Sequence, residues 1–297
     1  MNDARLYRLS SIAANTATLT VIAMIAFAAN SLLCRLALGQ QLIDAASFTS
    51  TRVISGAATL ALIMLPRWRN QRPAAADWRA VLTLFVYMVF FSFAYISLSA
   101  GTGALILFGA VQLTMFIIAM RGGERFTLLS WMGLSLAAFG LIYLLSPGIT
   151  APDPLGAVLM AIAGVAWGGY SLLGRSAADP LEATASNFVY SVPLAIVVSL
   201  VFLGDFDSSW IGLILAAASG AITSGLGYAV WYAALRRLEA GRAATVQLSV
   251  PIIASLGGVV LLSEQVSLRL VLASVLTLGG IAIVLTQRAT VAPPTKQ

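Results

Sequence analysis

The stretch SLLCR, Ser31 to Arg35, returns almost unchanged as SLLGR, Ser171 to Arg175, 140 positions later. The same offset matches Ala100-Gly101 to Ala240-Gly241, Glu124 to Glu264, Leu128 to Leu268, Gly140 to Gly280 and Leu145 to Leu285. Thr127 against Ser267 is a chemical match. Ala, Leu and Gly coincide by chance in any apolar chain, so the Arg, Glu and Ser positions carry the argument. One constant offset from residue 31 to residue 285 marks an internal duplication. The two copies are residues 1–148 and 149–297, which meet in the Pro-rich gap at 146–154.

What is duplicated follows from composition. The 297 residues are 60% hydrophobic and only 9% charged, against roughly 25% charged in soluble domains. Apolar runs recur from end to end, each near the roughly 20 residues a helix needs to cross the hydrocarbon core. They fall at about 15–38, 44–65, 78–98, 101–120, 127–145, 154–175, 181–203, 209–235, 241–262 and 267–287. Breakers separate them: Pro66 and Pro73, Gly122-Gly123, Ser146-Pro147-Gly148, and Gly204-Asp205-Phe206-Asp207. Pro193 and Pro251 fall inside spans, where kinks are expected. Arg5, Arg8 and the triplet Ala26-Phe27-Ala28 imitate a secretory signal, but the apolar run continues past the triplet and is echoed in mid-chain, so a retained span is expected. The expected fold is an all-α polytopic membrane protein of ten transmembrane helices, a single membrane domain of two five-helix repeats.

Five is odd, and that determines the geometry. A second copy entering after five crossings runs upside down, so the halves form a 5+5 inverted repeat about an axis in the membrane plane. Many secondary transporters share this plan, with the substrate site near the midplane between the halves and rocking that exposes it to each side in turn. Charge supports the count. With the N-terminus inside, the inner segments hold Arg5, Arg8, Arg67, Arg69, Arg72, Arg79, Arg121, Arg125, Arg175, Arg236, Arg237, Arg242, Arg288 and Lys296, and the outer ones only Arg35 and Arg269. This positive-inside bias places both termini in the cytoplasm. It also accounts for the net charge of +6 better than nucleic acid does, so no nucleic-acid partner is expected.

Gly123-Glu124-Arg125-Phe126-Thr127 after the fourth span, Ser263-Glu264-Gln265-Val266-Ser267 after the ninth, and the duplication itself resemble the EamA-type branch of the drug/metabolite transporter superfamily over nearly the whole chain. Within it, Asn30-Ser31-Leu32-Leu33-Cys34-Arg35 followed by Ile43-Asp44-Ala45-Ala46-Ser47-Phe48-Thr49 resembles the YddG-type amino-acid exporters. The resemblance implies export of aromatic and other neutral amino acids, such as phenylalanine, methionine and threonine, across a bacterial inner membrane. EamA-type proteins also carry drugs, purines and other metabolites, and that alternative stays open.

Candidate residues come from polar and aromatic side chains within the spans. The offset superposes Phe27 on Trp167 and Asn30 on Tyr170, positions about one helical turn apart and so on one face. Tyr87, Phe91 and Tyr95 form an i, i+4, i+8 stripe in the third span, and Phe91 superposes on Trp231 in the eighth. Gln112, Gln247 and Tyr228 need partners at lipid depth, as pocket lining or as helix-to-helix contacts. Arg52 lies inside the second span, either as a contact for a substrate carboxylate or snorkelling outward toward Asp44. Arg35 and Arg175, near helix ends, are expected to snorkel or to close gates, and Glu124 and Glu264 to cap the helices that follow them. Gly220, Gly225 and Gly227 are expected to admit close helix approach or to act as soft points.

Chemistry narrows the function. The chain has no histidine, its eleven acids fall in loops or at span ends, and Cys34 is its only cysteine. No cofactor or metal site is expected, and an intramembrane enzyme, which needs such groups at its reaction centre, is disfavoured. A proton relay usually needs an acid or histidine in the pathway, so facilitative export is favoured, with ion coupling as the alternative. The expected partners are a small-molecule substrate and the lipid bilayer, with a monomer sufficient for the fold.

Overall fold

The computed structural model describes residues 3–69, 77–175, 177–235, 238, 245–287 and 290–291, with side chains from residue 16 onward except those of Glu124, Arg125, Arg175, Thr290 and Val291. Ten helical spans make up the described bundle: α1 (Asp3–Gly39), α2 (Ala45–Trp68), α3 (Trp78–Ala94), α4 (Ala100–Arg121), α5 (Leu128–Leu145), α6 (Pro154–Arg175), α7 (Pro180–Val201), α8 (Trp210–Leu235), α9 (Thr245–Leu262) and α10 (Leu268–Thr286). Nine are long and apolar enough to cross a membrane, and α3 is a shorter apolar helix of 17 residues. A two-residue antiparallel pairing joins Glu124–Arg125 to Thr290–Val291.

The helices start where a side chain can satisfy the free N–H groups of a first turn. Ser99, Thr127, Ser209 and Ser267 accept from the N–H groups of Thr102, Ser130, Gly212 and Leu270. Thr127 and Ser267, offset partners in sequence, thus perform the same task in the two copies. Helix α3 ends at Ala94, short of the expected 98, because the chain turns through residues 95–97 and Tyr95 becomes its C-cap. Pro251 is not at a mid-span kink. It lies in the first turn of the regular helix Ser249–Leu262, where a missing N–H costs little.

Helix neighbours respect the inversion. α5 packs on α10 and α2 on α7, each a pair of equivalent helices, while α3 on α6 is mirrored by α8 on α1, and α4 on α6 by α9 on α1. The α5–α10 seam shows the symmetry residue by residue. A Cβ at Gly140 would meet Thr277, and one at Gly280 would meet Ala137, the offset counterpart of Thr277. Among the described residues, the α1–α2, α3–α4, α5–α6, α7–α8 and α9–α10 turns share one face of the bundle, where Arg35 reaches Ile96, Ser97 meets Asp153 and Arg269 meets Ser146, and the α4–α5 turn lies at the opposite one. At the first face the halves are stitched by backbone: the Asp44 N–H donates to the Asp207 carbonyl at 2.7 Å and the Ser209 N–H to that of Leu42 at 2.8 Å.

Helix α8 departs from regular geometry. Between Ser219 and Leu226 its hydrogen bonds follow the wider π pattern, which relocates side chains and tends to occur at functional positions. Its equivalent, α3, is regular, so the copies diverge here. Gly220 lets this segment press on α2, since a Cβ there would clash with the Arg52 carbonyl oxygen.

Candidate functional site: a central aromatic chamber

The helices that cross at the middle of the bundle converge on a cavity of about 20 Å³, room for about one water. Of the residues expected at a site, Phe27, Asn30, Tyr87, Phe91, Trp167 and Tyr228 line it. Ser31, Leu107, Phe108 and Thr223 complete the wall and were not anticipated. The rings form a connected cage. Trp167 stands 4.8 Å from Tyr87, 5.2 Å from Tyr228 and 6.2 Å from Phe27, centroid to centroid, and Phe27 is 5.8 Å from Trp231. Phe27 meets Trp167 nearly edge-on, a favoured arrangement for aromatic pairs. The 140-residue offset superposes Phe27 on Trp167, and in the fold the two rings pack edge to face.

Three further candidates support the cage from behind. Tyr170 packs on Trp167 and holds the Thr184 hydroxyl at 3.0 Å, Tyr95 packs on Phe91, and Trp231 backs Phe27. Gln112 and Gln247 are buried but do not line the cavity. Gln112 Nε2 and the Tyr228 hydroxyl have no hydrogen-bond partner among the described residues. The π segment supplies polar groups that local pattern did not reveal: Asn30 Oδ1 lies 2.6 Å from the Ser219 hydroxyl and 3.1 Å from that of Thr223.

Arg52 is fully buried beside this cage. It does not snorkel toward Asp44, which instead caps α2 by accepting from the Ser47 N–H at 2.8 Å. Its Nη2 donates to the Tyr87 hydroxyl at 3.1 Å and its Nε to Ser224 Oγ at 3.3 Å. The guanidinium carbon lies 4.9 Å from the Phe91 ring centroid and 5.4 Å from that of Tyr87. Inserting an arginine at a helix centre costs roughly 2.5–3.5 kcal/mol, and desolvated cation–π contacts offset about 2 kcal/mol. The cage therefore stabilises the cation in part, without neutralising it.

A second arrangement lies at the face that carries the α1–α2 turn. Arg35 Nε lies 3.0 Å from Glu264 Oε1, and Arg35 Nη1 reaches the carbonyl of Ile96 at 3.1 Å. Glu264 does not cap the helix after it, because Ser267 fills that role for α10; its Oε2 accepts the Ala100 N–H at 2.9 Å, at the amino end of α4. Left-handed Ser263 (φ 55°) aims the carboxylate there, and Gly258 leaves it room, since a Cβ would lie 2.5 Å from Oε2. The offset counterpart of Ser263, Gly123, is also left-handed (φ 86°). The side chains of Glu124 and Arg175 lie outside the described residues. Two larger recesses, of about 310 and 260 Å³, open at opposite ends of the bundle, one beside Asp44 and Phe202 and the other beside Arg67 and Tyr232.

Comparison with known proteins places this architecture. The model of the EamA-like transporter family matches residues 154–286, which span α6 to α10. An uncharacterized protein of Pseudomonas aeruginosa is 50% identical over 273 residues, 92% of this chain and 95% of that protein. An uncharacterized transporter of Archaeoglobus fulgidus is 30% identical over 209 residues, covering 68% of this chain and 74% of its own length. The uncharacterized transporter YoaV of Bacillus subtilis is 20% identical, covering 79% and 85%. A solved crystal structure superposes with a TM-score of 0.60 at 20% identity, covering 89% of this chain and 95% of its own, and that likeness concerns the fold alone.

Proposed function

The chain belongs to the EamA-like transporter family, and from that premise we propose that it exports amino acids, aromatic and other neutral ones, from the cytoplasm by facilitative alternating access. It is a multi-pass membrane protein of a transporter family. The observation that carries the finer reading is the chamber: rings and neutral polar groups from both copies meet at one point between them, where an inverted repeat places its substrate site. An amino acid offers an apolar or aromatic body to the rings and polar ends to Asn30, Tyr228 and the neighbouring hydroxyls.

Release to alternate sides requires gates. On this reading the Arg35–Glu264 clasp closes the outer face, and its offset counterparts Arg175 and Glu124 close the inner one by the same chemistry. The matching left-handed turns at Gly123 and Ser263 support that mirror. Opening one gate while the other stays shut widens the chamber, about 20 Å³ here, toward a single side. The two halves, 1–148 and 149–297, rock against each other in the inner membrane of a bacterial cell with both termini inside. The chain lacks histidine, and no acidic residue is among the chamber's lining, which favours transport without a proton relay.

The experiment is counterflow in liposomes that hold the purified protein and unlabelled phenylalanine, methionine or threonine, with no ion gradient. Labelled amino acid should accumulate transiently against its own gradient, and only in preloaded vesicles. Absence of any signal from correctly inserted protein would move the substrate to another metabolite or drug, or require a coupling ion.

A further inference from the structure

We infer that Arg52 anchors a carboxylate on the transported molecule, so that the chamber takes apolar or aromatic monocarboxylates for which an amino group is dispensable. The inference rests on the transporter reading above and narrows its substrate class. All three guanidinium nitrogens are within a fully buried side chain, and two are met by neutral oxygens, Ser224 Oγ and Tyr87 Oη. The third, Nη1, has no hydrogen-bond partner among the described residues. No described carboxylate pairs with Arg52; the ion pairs among described residues join Arg35 to Glu264 and Arg67 to Asp179, elsewhere in the bundle.

A purely structural role explains only part of this. Contacts to two hydroxyls and two rings could tie α2, α3 and α8 together, but a neutral glutamine could also bond hydroxyls, without the desolvation cost of a cation. What distinguishes arginine is a planar fork that matches a carboxylate, and here one prong is still free. Tyr87 and Phe91 are at once the wall of the chamber and the support of the guanidinium. The charge therefore stands directly behind the surface a substrate would touch.

The opposite charge has no equivalent. Around the chamber the acceptors are neutral: Asn30 Oδ1 already holds two hydroxyls, and Tyr228 offers a phenol. An ammonium group gains dipoles there, whereas a carboxylate gains a desolvated cation. Recognition should therefore be asymmetric, favouring the acid end of an amino acid and rejecting amines and cationic drugs of equal size.

Four probes with the same ring separate these terms: phenylalanine, 3-phenylpropionate, phenylalaninamide and phenethylamine. Each is titrated against the purified protein, with thermal-unfolding midpoint and tryptophan fluorescence as readouts. The two carboxylates should bind at least about tenfold tighter than the amide and the amine. Arg52→Gln should bring all four within a few-fold of one another, and Arg52→Lys should retain part of the preference. If Arg52→Gln does not fold, Arg52→Lys decides the matter with wild type, because an undiminished preference with a point charge in place of the planar fork would also overturn the inference. Equal binding of amide and carboxylate, no binding of any probe, or an undiminished preference in folded Arg52→Gln would each overturn the inference. Counterflow without carboxylate preference would sink the anchor and leave the transporter; carboxylate-selective binding without counterflow would do the reverse.

Discussion

The Arg35 guanidinium and the Glu264 carboxylate, 229 residues apart in the chain, lie 3.0 Å apart at one face of the bundle. The carboxylate also holds the amino end of α4 through Ala100, and the guanidinium holds the α3–α4 turn through the carbonyls of Tyr95 and Ile96. One ion pair thereby joins elements of both copies.

Glu264→Gln keeps an acceptor for Ala100 but removes the charge. Charged hydrogen bonds contribute about 1.5–3 kcal/mol when buried, and partial exposure of this pair, 24% and 15%, reduces that to about 1 kcal/mol. Opening of this face should become several-fold more frequent. Modification of Cys34, buried and the chain's sole cysteine, by a membrane-impermeant maleimide measures it. The rate should rise in Glu264→Gln and in Arg35→Gln, and an unchanged rate in both would show that the pair does not gate.

Trp167 touches Phe27, Tyr87, Tyr170 and Tyr228, so its truncation empties the chamber of its central ring. Trp167→Ala should destabilise by about 3–5 kcal/mol and lower counterflow at least tenfold, while Trp167→Phe keeps most activity. Asn30→Ala should also impair transport. If Trp167→Ala and Asn30→Ala both insert normally and transport at the wild-type rate, the chamber is not the substrate's path.

Two neighbouring glycines provide an internal control for the α5–α10 seam. A Cβ on Gly280 would clash with the Gly133 carbonyl oxygen, whereas one on Gly279 meets nothing within 4 Å. Gly280→Ala should cost about 1–3 kcal/mol by overpacking, and Gly279→Ala should change stability little. Thermal unfolding in detergent compares them directly.

Asp179, at the head of α7, responds to pH. Burial pushes its carboxyl up, but the hydrogen bond from Arg67 and those from the backbone N–H groups of Glu182 and Leu181 outweigh burial and hold it below its ordinary value. A depressed folded-state pKa means that the stabilisation is present above the unfolded value, near 3.9, and is lost as pH falls through the folded one. Asp179→Asn, which retains a cap, should therefore lower the melting temperature at pH 6 but flatten its decline below pH 4. An identical acid limb in wild type and variant would show that the contact with Arg67 contributes nothing.

The ten spans and their inversion were legible because the evidence for them is local and repeated: capping hydroxyls, Pro and Gly breakers, and one offset. The cage was legible for a related reason, since superposing Phe27 on Trp167 identifies residues that inverted copies bring to their shared axis. Arg52 stood out as a charge in an apolar run, but whether it turns outward or inward depends on Tyr87, Phe91 and Ser224, which lie on other helices. Gln112 and Gln247 lie away from the lining because spans that are apolar all round do not reveal which face is inward. The π segment is not legible in the sequence, because hydropathy does not record a change in hydrogen-bond register; the hydroxyls of Ser219, Thr223 and Ser224 amid glycines are its only trace. Sequence proximity points Glu264 to the helix that follows it, whereas its partner, the start of α4, is distant in sequence and near only in the fold.

The measurement that tests the account most directly places cysteines at Arg35 and Glu264 in a Cys34→Ser background and bridges them with a short, reducible bis-thiol reagent. Counterflow of labelled phenylalanine is then followed before and after reduction. Alternating access through this face predicts that bridging arrests counterflow and that reduction restores it. Counterflow at the full rate with the bridge intact would contradict a gate at this position and, with it, the alternation of the two faces around the chamber.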